Sequence, residues 1–144
     1  MPIFNTTAKI IAKPIPRVIT PKAHAVVDYI TVGSFLANAA RFWKRNKPAA
    51  IASLICGGAE LAVNLLTDYP GGVEPVISYP THLKLDLGLA AMAAMMPEIL
   101  ASDSNSEKAF FLTRGALITM TSELSHTPKN VVRRQDRRRR MYAA

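Results

Sequence analysis

Residues 48–66 read PAAIASLICGGAELAVNLL, a run in which Glu60 is the single charged side chain. Apolar and small residues would surround nearly the whole of a helix formed by this run, whereas a helix of a water-soluble bundle carries a wide polar face. Leu87 to Leu100 has the same character, and about 20 residues at 1.5 Å each suffice to cross a bilayer. Small residues abound in both runs, with Gly57, Gly58, Ala59 and Ala62 in the first and Ala90, Ala91, Ala93 and Ala94 in the second. Helices that pack in lipid favour such residues because they let backbones approach closely.

Working outward, the pattern predicts helices over residues 23–43, 48–66, 81–101 and 109–124. Pro21 precedes the first, Asn46-Lys47-Pro48 divides the first from the second, and Asp68-Tyr69-Pro70-Gly71-Gly72 stops the second. The proline-rich loop 70–80 has room for a short strand at most. The expected fold is all-α: a bundle of four transmembrane helices built as two tandem helical hairpins. A basic tail (1–22), a membrane domain (23–124) and an irregular basic tail (125–144) make up the chain. The charge-free runs are short, because Asp28, Glu60, Asp86, Glu98, Arg114 and Glu123 interrupt them.

The net charge of +8, pI near 10.0 and mean hydropathy of +0.13 average over unlike regions. Basic residues cluster just outside the apolar segments rather than over a surface with interleaved aromatics, which argues for topology signals or anionic lipid and against nucleic acid. With four crossings, one side collects Lys9, Lys13, Arg17, Lys22, Lys129, Arg133, Arg134, Arg137, Arg138, Arg139 and Arg140. The other holds Arg41, Lys44, Arg45, Lys47 and Lys108. The positive-inside rule then places both termini in the cytoplasm. The six arginines from Arg133 to Arg140 are expected to meet anionic headgroups. Residues 1–22, broken by prolines, resemble no cleavable signal, so insertion is expected to use the helices themselves.

Cys56 is the only cysteine, which rules out an intramolecular disulfide and reads as a small core residue. No GxSxG elbow, phosphate loop or complete catalytic constellation is present, so no enzymatic activity is expected. Met92, Met95 and Met96 could ligate soft copper but read as packing residues.

Chemistry concentrates in three polar pairs spaced four apart: His24 with Asp28, Glu60 with Asn64, and His82 with Asp86. The HxxxD pattern occurs twice, 58 residues apart, as a duplicated hairpin would give. Topology gathers His24, Asp28, Asn64, Asp68, His82, Asp86, Glu123 and His126 near one membrane face, with Glu60 about one turn deeper. Such a group reads first as a structural hydrogen-bond network that fixes helix register. It also suits a metal ion or a tetrapyrrole, haem or chlorophyll, held by His24 and His82, and third a proton-coupled or quinone-handling site using Glu60, His82 and Asp86. The leading expectation is a non-enzymatic accessory or scaffolding subunit, docked on other membrane subunits or on copies of itself.

His24-Ala25-Val26-Val27-Asp28-Tyr29, Leu65-Leu66-Thr67-Asp68-Tyr69 and His82-Leu83-Lys84-Leu85-Asp86, in this order and spacing, resemble the small bacterial membrane proteins of the SPW-repeat type. The resemblance covers residues 22–101, although the Ser-Pro-Trp signature falls where this chain has Met96-Pro97-Glu98. It implies four transmembrane helices in the bacterial inner membrane and no particular activity.

Overall fold

The computed structural model describes residues 16–129 together with Arg133, Asp136, Arg137, Arg140 and Met141. Four helices are present among them: α1 (Pro21–Phe42), α2 (Lys47–Leu65), α3 (Tyr79–Ile99) and α4 (Asn105–Leu124). Three of the four begin the same way, with a capping side chain and a proline in the first turn. Thr20 accepts from the Ala23 amide ahead of Pro21, Asn46 from Ala49 ahead of Pro48, and Ser78 from Thr81 ahead of Pro80. The fourth has no side-chain cap at Ser104 but carries Glu107 in its first turn, where the helix dipole favours a negative charge. It starts four residues earlier than the sequence pattern indicates. Pro97 sits in the last turn of α3, whose end is a Schellman turn: Ser102 N–H donates to Pro97 O at 3.0 Å and Ala101 N–H to Glu98 O at 3.1 Å. Ala101 there adopts a left-handed φ of 45°.

α1 packs chiefly on α2 and α3 chiefly on α4, so two hairpins face each other, with lesser contacts from α2 to α3 and from α1 to α4. Glycine sets the spacing within each hairpin. A Cβ at Gly57 would stand 2.8 Å from the Phe35 Cβ, and one at Gly115 would stand 2.7 Å from the Ala90 carbonyl oxygen. Gly57 and Gly115 are themselves 58 residues apart, and the same interval relates Ile19 to Ile77, Thr20 to Ser78, Asn46 to Ser104 and Thr67 to Ser125. The two isolated bridges obey it as well, since Ile19 pairs with Ser125 and Ile77 with Thr67. Each hairpin therefore ties its leading residues to the trailing residues of the other.

Those ties place the residues that lead into α1, those that follow α4 and the 66–78 loop at one end of the bundle. Ile19 N–H donates to Leu124 O at 2.9 Å and His126 N–H to Ile19 O at 3.0 Å. At the opposite end, the Asn46 amide donates to both oxygens of Glu107 at 2.9 Å, and Ser102 Oγ donates to Glu107 Oε2 at 2.6 Å.

Polarity is distributed inside out. Val26, Ile30, Leu36, Ile51, Leu54, Ile55, Leu87, Met95, Leu112 and Met120 are exposed, while His24, Asp28, Ser53, Glu60, Asn64, His82 and Asp86 are buried. By length and composition one helix among the described residues, α2, is apolar enough to cross a membrane. Cys56 is buried in the apolar core, as expected. The three methionines do not cluster: Met96 is in the core, Met92 packs against it, and Met95 faces out. Loop 70–80 holds no strand, only the isolated bridge of its Ile77 to Thr67. In the C-terminal tail, Lys129, Arg133, Asp136, Arg137, Arg140 and Met141 have helical backbone, where an irregular tail was expected. Arg134, Arg138 and Arg139, and Lys9 and Lys13 of the first tail, lie outside the described residues.

Candidate metal centre

His24 and His82 each lie four residues after a cap, with their amides donating to Thr20 O and Ser78 O at 2.9 Å. Their partners Asp28 and Asp86 follow one turn later, so each pair shares a helix face. The two faces meet across the bundle. His24 Nε2 stands 2.9 Å from His82 Nε2, 3.2 Å from Asp28 Oδ2 and 3.1 Å from Asp86 Oδ2. His82 Nε2 stands 3.2 Å from Asp28 Oδ2 and 3.3 Å from Asp86 Oδ2. Both imidazoles are fully buried.

The outer ring nitrogens are held by hydroxyls supplied by the opposite hairpin. His24 Nδ1 is 2.6 Å from Ser125 Oγ, and His82 Nδ1 is 2.9 Å from Thr67 Oγ1. Each hydroxyl spends its own proton on a carbonyl one turn back, Ser125 on Thr121 O and Thr67 on Val63 O, both at 2.6 Å. The hydroxyl oxygens must then accept, which puts a proton on each Nδ1 and turns each Nε2 toward the other and toward the carboxylates, as a lone pair in a neutral imidazole or as a second N–H in an imidazolium. Two ring nitrogens and two carboxylate oxygens thus converge on a small volume. Asp86 faces both Nε2 atoms through Oδ2, and its Oδ1 is buried without a hydrogen-bond partner.

A proton on Nε2 relieves that crowding by pairing an imidazolium with the carboxylates, and a metal cation relieves it as well. Around an ion with bonds of about 2.0–2.1 Å, neighbouring ligand atoms stand about 2.9 Å apart in octahedral and about 3.3 Å apart in tetrahedral geometry. The separations within His24, His82 and Asp86, 2.9 to 3.3 Å, span that interval. His24, His82 and Asp86 alone make a two-histidine, one-carboxylate set within reach of one ion. Two neutral imidazoles, two carboxylates and one divalent ion also sum to zero charge, which burial favours. A tetrapyrrole fits less well: imidazoles on opposite faces of a macrocycle stand about 4 Å apart, and 2.9 Å leaves no plane for the ring.

Aromatic rings wall the site. Tyr79 meets His24 edge-on at 5.6 Å between centroids, and Tyr69 lies 5.0 Å from the His82 ring. Tyr69 OH donates to Asp28 Oδ2 at 3.2 Å. Burial, and after it the Asp28 charge, push the Tyr69 phenol far above its usual range, so it stays a donor.

Of the expected polar network, His24, Asp28, His82 and Asp86 come together, and Glu60 and Asn64 lie buried on the adjoining face of α2. Asp68 sits in the loop, half-buried, with its amide donating to Ile77 O. Glu123 departs from the expectation. It is exposed, because its position near the end of α4 turns it away from the face that carries Ser122 and Ser125. His126 lies near Ile19 O, 3.4 Å from its Nδ1, outside the quartet. Thr67, Tyr69, Tyr79 and Ser125 are site residues that sequence reasoning missed. The recurrence of a small hydroxyl residue 43 positions after each histidine was the available signal.

Glu60 and Asn64 stand apart from the rest. All four of their side-chain polar atoms are buried without a hydrogen-bond partner. At roughly 1–3 kcal/mol for each unsatisfied neutral group, and more for a charge, the total would rival the whole stability of a domain.

Comparison with family models, curated proteins and solved structures finds no match for this chain. The resemblance to SPW-repeat proteins accordingly draws no support from them.

Proposed function

We propose that this chain is an integral membrane protein whose four-helix bundle binds a first-row transition-metal ion through His24, His82 and Asp86, with the Asp28 carboxylate beside them. The approach of the two Nε2 atoms to each other and to the Asp86 and Asp28 carboxylates at 2.9–3.3 Å, with both Nδ1 atoms tied to hydroxyls, is the observation that carries this reading. Imidazole with carboxylate suits zinc, iron or manganese better than copper(I) or calcium. The inside-out polarity supports the membrane. Asp28, Glu60 and Asp86 lower the mean hydropathy of their helices but point inward, so the lipid-facing surface is more apolar than the sequence average. At about 1.5 Å per residue, helices of 19 to 22 residues match a hydrocarbon core of about 30 Å. The excess of Lys and Arg at the end that bears the metal site and both tails supports a cytoplasmic orientation for that end.

Protein purified in mild detergent and titrated with Co²⁺ should show visible absorption bands of a nitrogen- and oxygen-ligated ion, and metal analysis should find the ion retained through gel filtration. His82→Ala should abolish both signals. A wild-type protein that stays folded, colourless and metal-free after the titration overturns the proposal.

The accessory-subunit reading keeps one observation in its favour. Gly33, Gly58 and Gly88 face open space, where a Cβ would meet nothing within 4 Å, and such positions admit a partner helix closely. Sizing in detergent separates a monomer from a docked assembly.

A further inference from the structure

The hairpin turns at the end of the bundle away from the metal site differ in charge. The first reads Arg41-Phe42-Trp43-Lys44-Arg45-Asn46-Lys47, and the second, 58 residues on, reads Ile99-Leu100-Ala101-Ser102-Asp103-Ser104-Asn105. The second hairpin thus turns without a single cation. The dipole of α1 accounts for Arg41 in its last turn but not for the three cations that follow. Four cations at this end also run against the orientation that the rest of the chain supports. Lys47 is engaged with the Trp43 ring, its Nζ 5.3 Å from the centroid. Neither Arg41 nor Arg45 makes an ion pair or a side-chain hydrogen bond among the described residues.

Both arginines line a cavity of about 340 Å³ whose other walls include Asn46, Ser104, Ser106 and Glu107. Glu107 brings no free carboxylate oxygen to it, since Asn46 and Ser102 occupy both. Two guanidinium charges against one carboxylate leave the cavity positive. Ser104 marks the start of α4, where no side chain caps the helix, so its first amides add donors and the positive end of a dipole. The same two arginines also line a hollow of about 540 Å³ with Ala40, Trp43 and Lys44, where the apolar stems of the cations and the indole ring supply the surface. Trp43 is 48 % exposed at the end of α1, and an exposed tryptophan at the end of a membrane helix sits at headgroup depth. Unpaired guanidinium groups between a polar cavity and an apolar hollow match an amphiphile with a phosphate group better than a free anion.

We infer that Arg41 and Arg45 bind the phosphodiester of an anionic phospholipid, with the phosphate in the polar cavity and the start of the acyl chains in the hollow beside Trp43. This rests on the membrane reading above and is independent of the metal. The planar guanidinium fork suits phosphate oxygens, and it holds its charge at every relevant pH. A phosphate in this cavity lies between the turn that joins α1 to α2 and the first turn of α4, so it ties one hairpin to the other. The Asn46–Glu107 hydrogen bonds already join the hairpins at the same place.

Trp43 is the only tryptophan of the chain, so its fluorescence reports on this corner alone. The test titrates the full chain, in neutral detergent at low ionic strength, with phosphatidylglycerol or phosphatidylcholine brominated on the acyl chains. Wild type should be quenched by the anionic lipid at a concentration about 30-fold lower, or about fivefold for each arginine. Arg41→Gln and Arg45→Gln should each lose about that fivefold, and the double variant should show no preference. Arg45→Lys keeps the charge without the fork and should lose most of what Arg45 supplies. Lys22→Gln, an equal change of charge at the other end of the bundle, should leave the preference as it is. Gel filtration and circular dichroism confirm folding of each variant. Equal quenching of wild type by the two lipids, or a preference that the double variant retains, overturns the site and leaves the membrane reading intact. Relief of quenching by millimolar inorganic phosphate, beyond that by chloride of equal ionic strength, overturns the lipid as ligand in favour of free phosphate. A chain quenched by neither lipid overturns the membrane reading as well.

Discussion

Thr67→Val removes one hydroxyl from a buried site while keeping the volume and branching of the side chain. The hydroxyl receives His82 Nδ1–H at 2.9 Å and passes its own proton to Val63 O at 2.6 Å. Without it, His82 keeps its place in α3 but loses the acceptor that selects the Nδ1-protonated tautomer, and its Nε2 lone pair is no longer fixed toward the centre. Losing such an outer partner of a metal-bound histidine typically costs 10- to 100-fold in metal affinity, or about 1.4–2.7 kcal/mol. Because Thr67 is also buried, the apoprotein should lose about 1 kcal/mol of stability for the missing hydrogen bond. Competition of Co²⁺ between the detergent-purified protein and a chelator of known affinity measures the first quantity. Thr67→Ser provides the control, since serine is the residue at the equivalent position 125, and it should recover most of the lost affinity. Ser125→Ala should repeat the loss through His24. An affinity for Thr67→Val within twofold of wild type, in a folded protein, refutes the assignment of Thr67 as the group that orients His82.

Ala101 occupies the left-handed position of the α3 Schellman turn with φ 45°, so Ala101→Gly should stabilise the protein by roughly 0.5–1 kcal/mol, read as a higher midpoint in detergent-denaturant unfolding. Gly57→Ala should destabilise it by about 1–3 kcal/mol, because the added Cβ meets the Phe35 Cβ at 2.8 Å, whereas Gly58→Ala, with nothing within 4 Å, should be neutral or mildly stabilising in the same assay. Asn46→Ala removes the α2 cap and two hydrogen bonds to buried Glu107, for an expected loss of roughly 2–4 kcal/mol in thermal unfolding. Trypsin should cut the C-terminal basic tail in inside-out vesicles and spare it in right-side-out ones; the reverse pattern overturns the proposed orientation.

Helix number and most helix starts were legible in the chain. Pro21, Pro48 and Pro80 mark first turns next to Thr20, Asn46 and Ser78, and these are local effects of backbone geometry and capping that need no partner. The start of α4 was missed because Ser104 makes no capping bond there. The spacing of four within HxxxD likewise places His and Asp on one helix face whatever surrounds the helix. Helical periodicity leaves undetermined how each helix is rotated about its axis against its neighbours. That rotation, set by Gly57 on Phe35 and Gly115 on Ala90, turns His24, His82, Asp28 and Asp86 to a common point and leaves Glu123 outside. Hydropathy shows the same limit, since an average along a helix adds inward carboxylates to outward isoleucines and cannot tell which surface each one meets. Thr67 and Ser125 escaped notice because a lone hydroxyl residue at a helix end is common, and their role arises only where each hairpin reaches across to the histidine of the other. The sequence alone therefore determined the elements and the faces of each helix. Tertiary packing decided which faces meet, and with that the geometry of the His/Asp cluster.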